Sequence, residues 1–263
     1  MTLGRIAGTA ALALALLGSV VASPAPSLAA VGAPAAPAVS AAPAARASAL
    51  LGVDVFGRSL KGRALIAYHL GDPASPRKVV FIASIHGDEP GPQRLLLNLI
   101  HGAPITGADI WVIPDFNRDG LARHTRTDAR GVDLNRNYPM NWIRQHGKYN
   151  SGRRPASEPE TRAMMRFLTK IRPDFIVSMH QPLEGVDTSY GKARSLALRL
   201  VRGLHLPAKV FNCNSGCHGT LTEWYNHTFP GAALTVEYGY RVSRYQARVS
   251  GPDGLLAAVF ASR

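Results

Sequence analysis

The sequence predicts an α/β fold: a mostly parallel sheet covered on both faces by helices. Three features predict it. Segments such as residues 79–85 and 174–179 are short and predominantly apolar, segments of helical character separate them, and Gly- and Pro-bearing turns mark the junctions.

Residues 53–64 carry the turn formers Gly57, Ser59, Gly62 and Arg63 ahead of a strand-like stretch over 64–68, which predicts a hairpin entering the domain. The apolar strand 79–85 runs through a Gly/Pro turn into a helix over 93–100. The order recurs with a strand over 109–113, a long polar loop to about Arg154, a helix over 158–171 and a strand over 174–179. A helix over 192–203, a strand over 208–211, a helix over 221–226, a strand over 232–236 and a helix near 254–261 complete the chain. In sheets of this class ligands bind beyond the carboxyl ends of the strands.

Ahead of the domain, Arg5 precedes an apolar run over 6–22 that reads as a secretory signal, with small-residue cleavage sites at 21–23 and, in cleaner form, 27–29. The run falls short of the roughly 20 apolar residues of a membrane span and leads into prolines, so no stable membrane insertion is expected. The expected organisation is a signal peptide over 1–29, an Ala/Pro-rich linker over 30–50 and one catalytic domain over 51–263. A secreted or cell-wall-associated protein follows.

The formal net charge of +13 is dispersed and mostly arginine, a surface that attracts anionic polymers. Zinc-finger spacing, an RNP-like aromatic pattern and a clustered basic helix are missing, so nucleic acid is not an expected partner. An anionic cell wall is the expected association. Cys213 and Cys217, outside the cytoplasm, predict a local disulfide.

His86 and Glu89 follow the apolar strand directly, and a turn there brings an imidazole and a carboxylate three residues apart to one point, as a zinc ion requires. His180 closes the strand over 175–180 and supplies a third ligand at another strand end, leaving one position open for water. Glu237 ends the apolar strand over 233–236 and would face the same rim, where hydrolysis needs a group to take and return a proton. The arginine-rich loop between the ligands offers groups to polarise a carbonyl or grip a carboxylate, and Asn135 beside Arg136 is its most pointed pair.

H-G-D-E at 86–89, N-R-D-G at 117–120, G-V-D-L-N-R-N at 131–137, the strand-end His180 and T-V-E at 235–237 together resemble the zinc carboxypeptidase family, from about Val53 to the C-terminus. The resemblance implies a three-layer α/β/α sandwich on a mixed, largely parallel eight-stranded sheet. It also implies one zinc ion per chain held by His86, Glu89 and His180, with Glu237 as general acid/base. Arg126 would stabilise the oxyanion, with Arg123 and Arg130 close by in the same loop, and Asn135 and Arg136 would bind the substrate's terminal carboxylate.

Two departures stand out: Arg118 where the family commonly has proline, and Asp128 where short bacterial members often have asparagine. Tyr225, Tyr238 and Tyr240 are all candidates for the tyrosine that closes on substrate. The stretch R-T-D-A-R-G-V-D-L-N-R-N-Y-P with S-E-P-E-T at 157–161 resembles the murein peptide amidases within the family, which implies a peptide or muropeptide substrate cut between γ-D-glutamate and meso-diaminopimelate. Glu223 is weighed as a receiver for the side-chain ammonium of such a substrate against the favoured role of a solvated helix residue. Two other readings stand beside the peptidase: a small-molecule N-acyl amino acid deacylase, and a wall-binding protein that keeps the fold without catalysis.

Overall fold

An edge hairpin opens the described part of the chain. β1 (Leu50–Arg58) alternates half-buried and exposed residues and pairs antiparallel with β2 (Ala64–Gly71), as the turn formers predict. Gly62 supplies the positive φ of the connection, and the buried Asp119 carboxylate accepts hydrogen bonds from Ser59 Oγ and Lys61 N at 3.0 and 2.9 Å. The computed structural model describes residues 49–211 and 217–263. The expected signal peptide, nearly all of the expected linker, and Cys213 of the expected disulfide lie outside the described residues. β1 already includes Leu50, and Ala49 is buried in the core, so the domain takes in the last two residues of the stretch read as linker.

β3 (Lys78–Ala83), α1 (Gln93–Ile100), β4 (Asp109–Ile113), α2 (Arg118–Leu121), α3 (Pro159–Ile171) and β5 (Phe175–His180) follow. β6 (Gly185–Asp187), α4 (Arg194–Leu204), β7 (Ala208–Lys209), α5 (Leu221–Thr228), β8 (Ala232–Glu237) and α6 (Gly251–Ala258) complete the order. The eight strands lie in the order β1-β2-β4-β3-β5-β8-β6-β7. The central run β4, β3, β5, β8 is parallel throughout, and antiparallel pairings at β1–β2, β2–β4 and β8–β6 make the sheet mixed.

Alternation along the central strands divides the core into two layers. Val79, Phe81, Val177, Met179, Leu234 and Val236 pack with α1, α4 and α6 on one face. Val80, Ile82, Ile176 and Ala233 pack with α3 and α5 on the other. Each fully buried Leu, Ile or Phe contributes about 1.5–3 kcal/mol over leaving it exposed. The expected α/β/α sandwich is therefore what the apolar runs build, because strands buried on both faces need no polar positions.

Three differences from the expected elements bear on the site. β3 stops at Ala83 rather than 85 because Ser84 takes φ 55°, in the left-handed region, and turns the chain out of the sheet. The polar loop after β4 is not without structure: it holds α2 and a 3₁₀ turn at Leu134–Arg136. The three-residue β6 carries too few residues for an alternation to show in sequence. Among the described residues no helix is long and apolar enough to cross a membrane.

Candidate metal centre

Adjacency of β3, β5 and β8, all parallel, brings their carboxyl ends to one edge. His180 and Glu237 are direct register partners there, the last residues of β5 and β8. His86 and Glu89 arrive on the turn after Ser84, closed by Glu89 N donating to His86 O at 3.3 Å. Gly87 has no alternative within that turn, since a Cβ on it would lie 2.0 Å from the Gly120 carbonyl carbon of α2.

The three predicted ligands converge. His86 Nδ1 lies 2.7 Å from Glu89 Oε1, His180 Nδ1 lies 2.9 Å from Glu89 Oε2, and the two Nδ1 atoms are 3.2 Å apart. Each imidazole is held from behind: His86 Nε2 contacts Asp133 Oδ1 at 3.1 Å and His180 Nε2 contacts Ser178 Oγ at 2.9 Å. A hydrogen bond at one ring nitrogen fixes the lone pair on the other, so both Nδ1 atoms are presented to the same point with a carboxylate beside them. Two nitrogens and one carboxylate, with the remaining direction open to a cavity, match the donor set of a catalytic zinc site.

The electrostatics agree. Burial by itself would lower the His86 imidazole, but the carboxylates of Glu89 and Asp133 outweigh it and carry the group up to about 9. Glu89 and Asp133 are held below the ordinary carboxylate range by the imidazoles, against burial that would raise them. Such a field favours a cation at this point, and a divalent ion takes the place of the proton that an imidazole must release to bind it.

Arg126 donates from Nε to Asp133 Oδ2 at 2.9 Å and reaches Glu89 Oε1 at 3.4 Å, which sets it at the edge of the ligand cluster. Asn135 is the middle residue of the 3₁₀ turn; its Oδ1 accepts from Leu221 N at 3.0 Å and so ties the loop to α5. Arg136 is 7% exposed, donates to Asn135 O at 2.7 Å and leaves its buried Nε without a partner. No carboxylate among the described residues lies within ion-pair distance of it. Tyr149 stacks under both guanidinium groups, 5.4 Å from Arg126 and 5.2 Å from Arg136. A cavity of about 930 Å³ is lined by all seven predicted site residues, including Glu237. Burial raises the Glu237 carboxyl above its ordinary value, His180 opposes the rise, and Leu183 N donates to Oε2 at 3.3 Å.

Other expectations resolve individually. Glu223 is not among the cavity residues: Asn141 donates to its Oε1. Tyr225 and Tyr238 are buried in the two core layers, while Tyr240, 86% exposed, stands free beyond β8. Asp128 serves as a loop acceptor for Arg130 N and Val132 N at 2.9 and 2.8 Å, a task an amide oxygen performs equally well. Asp133 and Ser178, which orient the imidazoles, carry no predicted role. Ser178 was within reach, because its place two residues before His180 puts it on the same face of β5.

Residues 39–246 match the family described as zinc carboxypeptidase. Murein peptide amidase A of Escherichia coli strain K12 is 32% identical over 151 residues, covering 52% of this chain and 62% of that protein. The murein peptide amidase A of Vibrio campbellii is 31% identical over 157 residues, 54% of this chain and again 62% of the relative. The chain thus matches somewhat under two thirds of the length of these relatives. The crystal structure of a murein-tripeptide amidase from Escherichia coli O157 superposes with a TM-score of 0.64 at 26% identity, covering 82% of this chain and 92% of that one. Carboxypeptidase A of Helicoverpa armigera gives the same TM-score of 0.64 at 19% identity, covering 81% and 66% respectively, a likeness of fold alone.

Proposed function

The chain belongs to the zinc carboxypeptidase family, and from that premise we propose that it is an exported zinc-dependent peptidase that hydrolyses an amide bond next to a residue bearing a free carboxylate, in cell-wall peptides. The observation that carries this reading is Arg136, a buried guanidinium with an unused Nε in the cavity that also holds His86, Glu89, His180 and Glu237. A cation kept from water without a counter-ion is matched to an anionic ligand group.

In this reading His86, Glu89 and His180 hold zinc, which when bound acts as a Lewis acid on the scissile carbonyl and draws the acidity of water toward neutrality. Arg136 takes the substrate's terminal carboxylate, and Asn135 fixes the turn that presents it. Arg126 stabilises the charge that develops on the carbonyl oxygen. Glu237 accepts the proton of the attacking water and returns it to the departing amine; burial, which raises its carboxyl, makes it a better base. Similarity to the two murein peptide amidases supports the wall peptide as substrate.

Incubation of the zinc-loaded protein with L-alanyl-γ-D-glutamyl-meso-diaminopimelate is expected to release free diaminopimelate by mass spectrometry. Chelation should stop the release and about one equivalent of zinc should restore it; trimming of generic peptide C-termini without any diaminopimelate release would reject the wall-peptide substrate. Export is supported by Arg5 and the apolar run over 6–22. N-terminal sequencing of protein recovered outside the cell is expected to begin near residue 30, and retention of the whole chain in the cytoplasm would count against export.

A further inference from the structure

A second group of acids meets inside the domain, and none of its members lines the catalytic cavity. One oxygen from each of Asp128, Glu158 and Glu160 lies within 4.8 Å of the other two, and the three residues are 0%, 1% and 0% exposed. Asp128 sits in the arginine-bearing loop, Glu158 directly precedes α3, and Glu160 lies in the first turn of that helix. Their hydrogen bonds leave part of this charge unused. Asp128 Oδ1 takes Arg130 N and Val132 N, Glu158 accepts from Ser157 Oγ at 2.7 Å and Arg130 Nη1 at 2.9 Å, and Glu160 Oε1 accepts from Leu60 N at 2.8 Å. Among the described residues Asp128 Oδ2 and Glu160 Oε2 have no partner, and the buried Thr161 Oγ1 beside Glu160 has none either.

Among the described residues the guanidinium of Arg130 is the only cationic group within 4.0 Å of these carboxylates. One guanidinium against three carboxylates leaves a deficit of positive charge out of reach of water, which is costly unless a cation or protons make it up. Burial lifts the Asp128 carboxyl to about 7 and also raises that of Glu160, and the charge of Glu158 adds to both rises against hydrogen bonds from the backbone. The spacing separates the two remedies. Carboxyl groups that share a proton approach to about 2.5–2.7 Å, whereas Asp128 Oδ2 and Glu160 Oε2 make no hydrogen bond. Oxygens that share a calcium ion, each about 2.3–2.6 Å from it, stand up to about 5 Å apart. A donor set of oxygens alone suits a hard cation rather than zinc.

We propose that Asp128, Glu158 and Glu160 form a second metal site, for calcium, which fastens the loop carrying Arg126, Asn135 and Arg136 to the start of α3. This inference goes beyond the peptidase reading and does not depend on it. Arg126 precedes Asp128 by two residues, and the hydrogen bond from Leu60 to Glu160 extends the link to the β1–β2 turn. The side chain of Arg130 is 40% exposed, so the site lies one side chain from the surface. With one of its three carboxylates shared with Arg130, the site is expected to bind calcium at about 0.1–1 mM, in the range of extracellular modules.

The test is calorimetric titration of the zinc-loaded protein with calcium chloride in calcium-free buffer at about pH 8, where the carboxyls are ionised. One calcium per chain is expected, and about 10 mM calcium should raise the thermal midpoint by about 3–10 °C. Asp128→Asn keeps the acceptor for Arg130 N and Val132 N, and Glu160→Gln keeps the acceptor for Leu60 N. Each should weaken calcium binding by about tenfold or more and remove the thermal shift while the zinc content stays unchanged. Should one variant not fold, the other carries the comparison. No calcium binding by the unaltered protein, a shift reproduced by sodium chloride at equal ionic strength, or binding that survives both substitutions overturns the proposal.

Discussion

Glu237→Gln is expected to lower kcat by about 10²–10⁴-fold while the protein keeps one zinc per chain and its thermal stability. The amide preserves the shape of the side chain and an oxygen able to accept from Leu183 N, so the end of β8 has no reason to move. What it removes is a group that takes a proton. Glu237 is not among the three side chains that converge, since the metal cluster is made by His86, Glu89 and His180 alone. Metal content by atomic spectroscopy and turnover on a wall tripeptide separate the two roles. Retained turnover would reject Glu237 as the base, and lost zinc would place it among the ligands instead.

Arg136→Ala has the second large expected effect, a loss of about 2–5 kcal/mol in transition-state binding, or roughly 30- to 4,000-fold in kcat/KM, carried mainly by KM. The reason is its environment: the guanidinium is buried, its Nε has no partner, and it faces no carboxylate of the chain at ion-pair distance. The informative comparison is a peptide with a free terminal carboxylate against the same peptide amidated. Unaltered protein should favour the free acid strongly, and the variant should treat the two nearly alike. Arg136→Lys should fall between, because an ammonium keeps the charge and loses the two-pronged geometry. If the unaltered protein does not discriminate between acid and amide, Arg136 does not read a terminal carboxylate.

Much of the candidate site was legible because its residues sit where apolar runs stop. His86 follows, and His180 and Glu237 end, strands whose burial on both faces shows as a predominantly apolar segment. His86 and Glu89, three residues apart, needed only a turn to converge. The supporting residues were harder to read. Asp133 reaches His86 across 47 positions, and although it lies inside the G-V-D-L-N-R-N stretch, nothing local to that stretch says that it orients an imidazole. Asp187, which lines the cavity, was not read because the three-residue β6 is too short to register as a strand, while Glu223, weighed for a substrate ammonium against the favoured role of a solvated helix residue, is not among the cavity residues. The structure turns Glu223 toward Asn141.

The sequence by itself determined the layered α/β class, the strand ends on which His86, His180 and Glu237 lie, and the kind of chemistry those side chains serve. It could do so because burial imposes a local pattern: a strand covered on both faces is predominantly apolar along its length, and the first ionisable side chain marks its rim. Only the tertiary structure decided that β5 lies between β3 and β8, that His180 and Glu237 fall in register, and that Arg126 and Arg136 of the distant loop line one cavity with them. Strand order and register arise from contacts between residues far apart in the chain, each set by how whole elements pack, and no single segment carries that information.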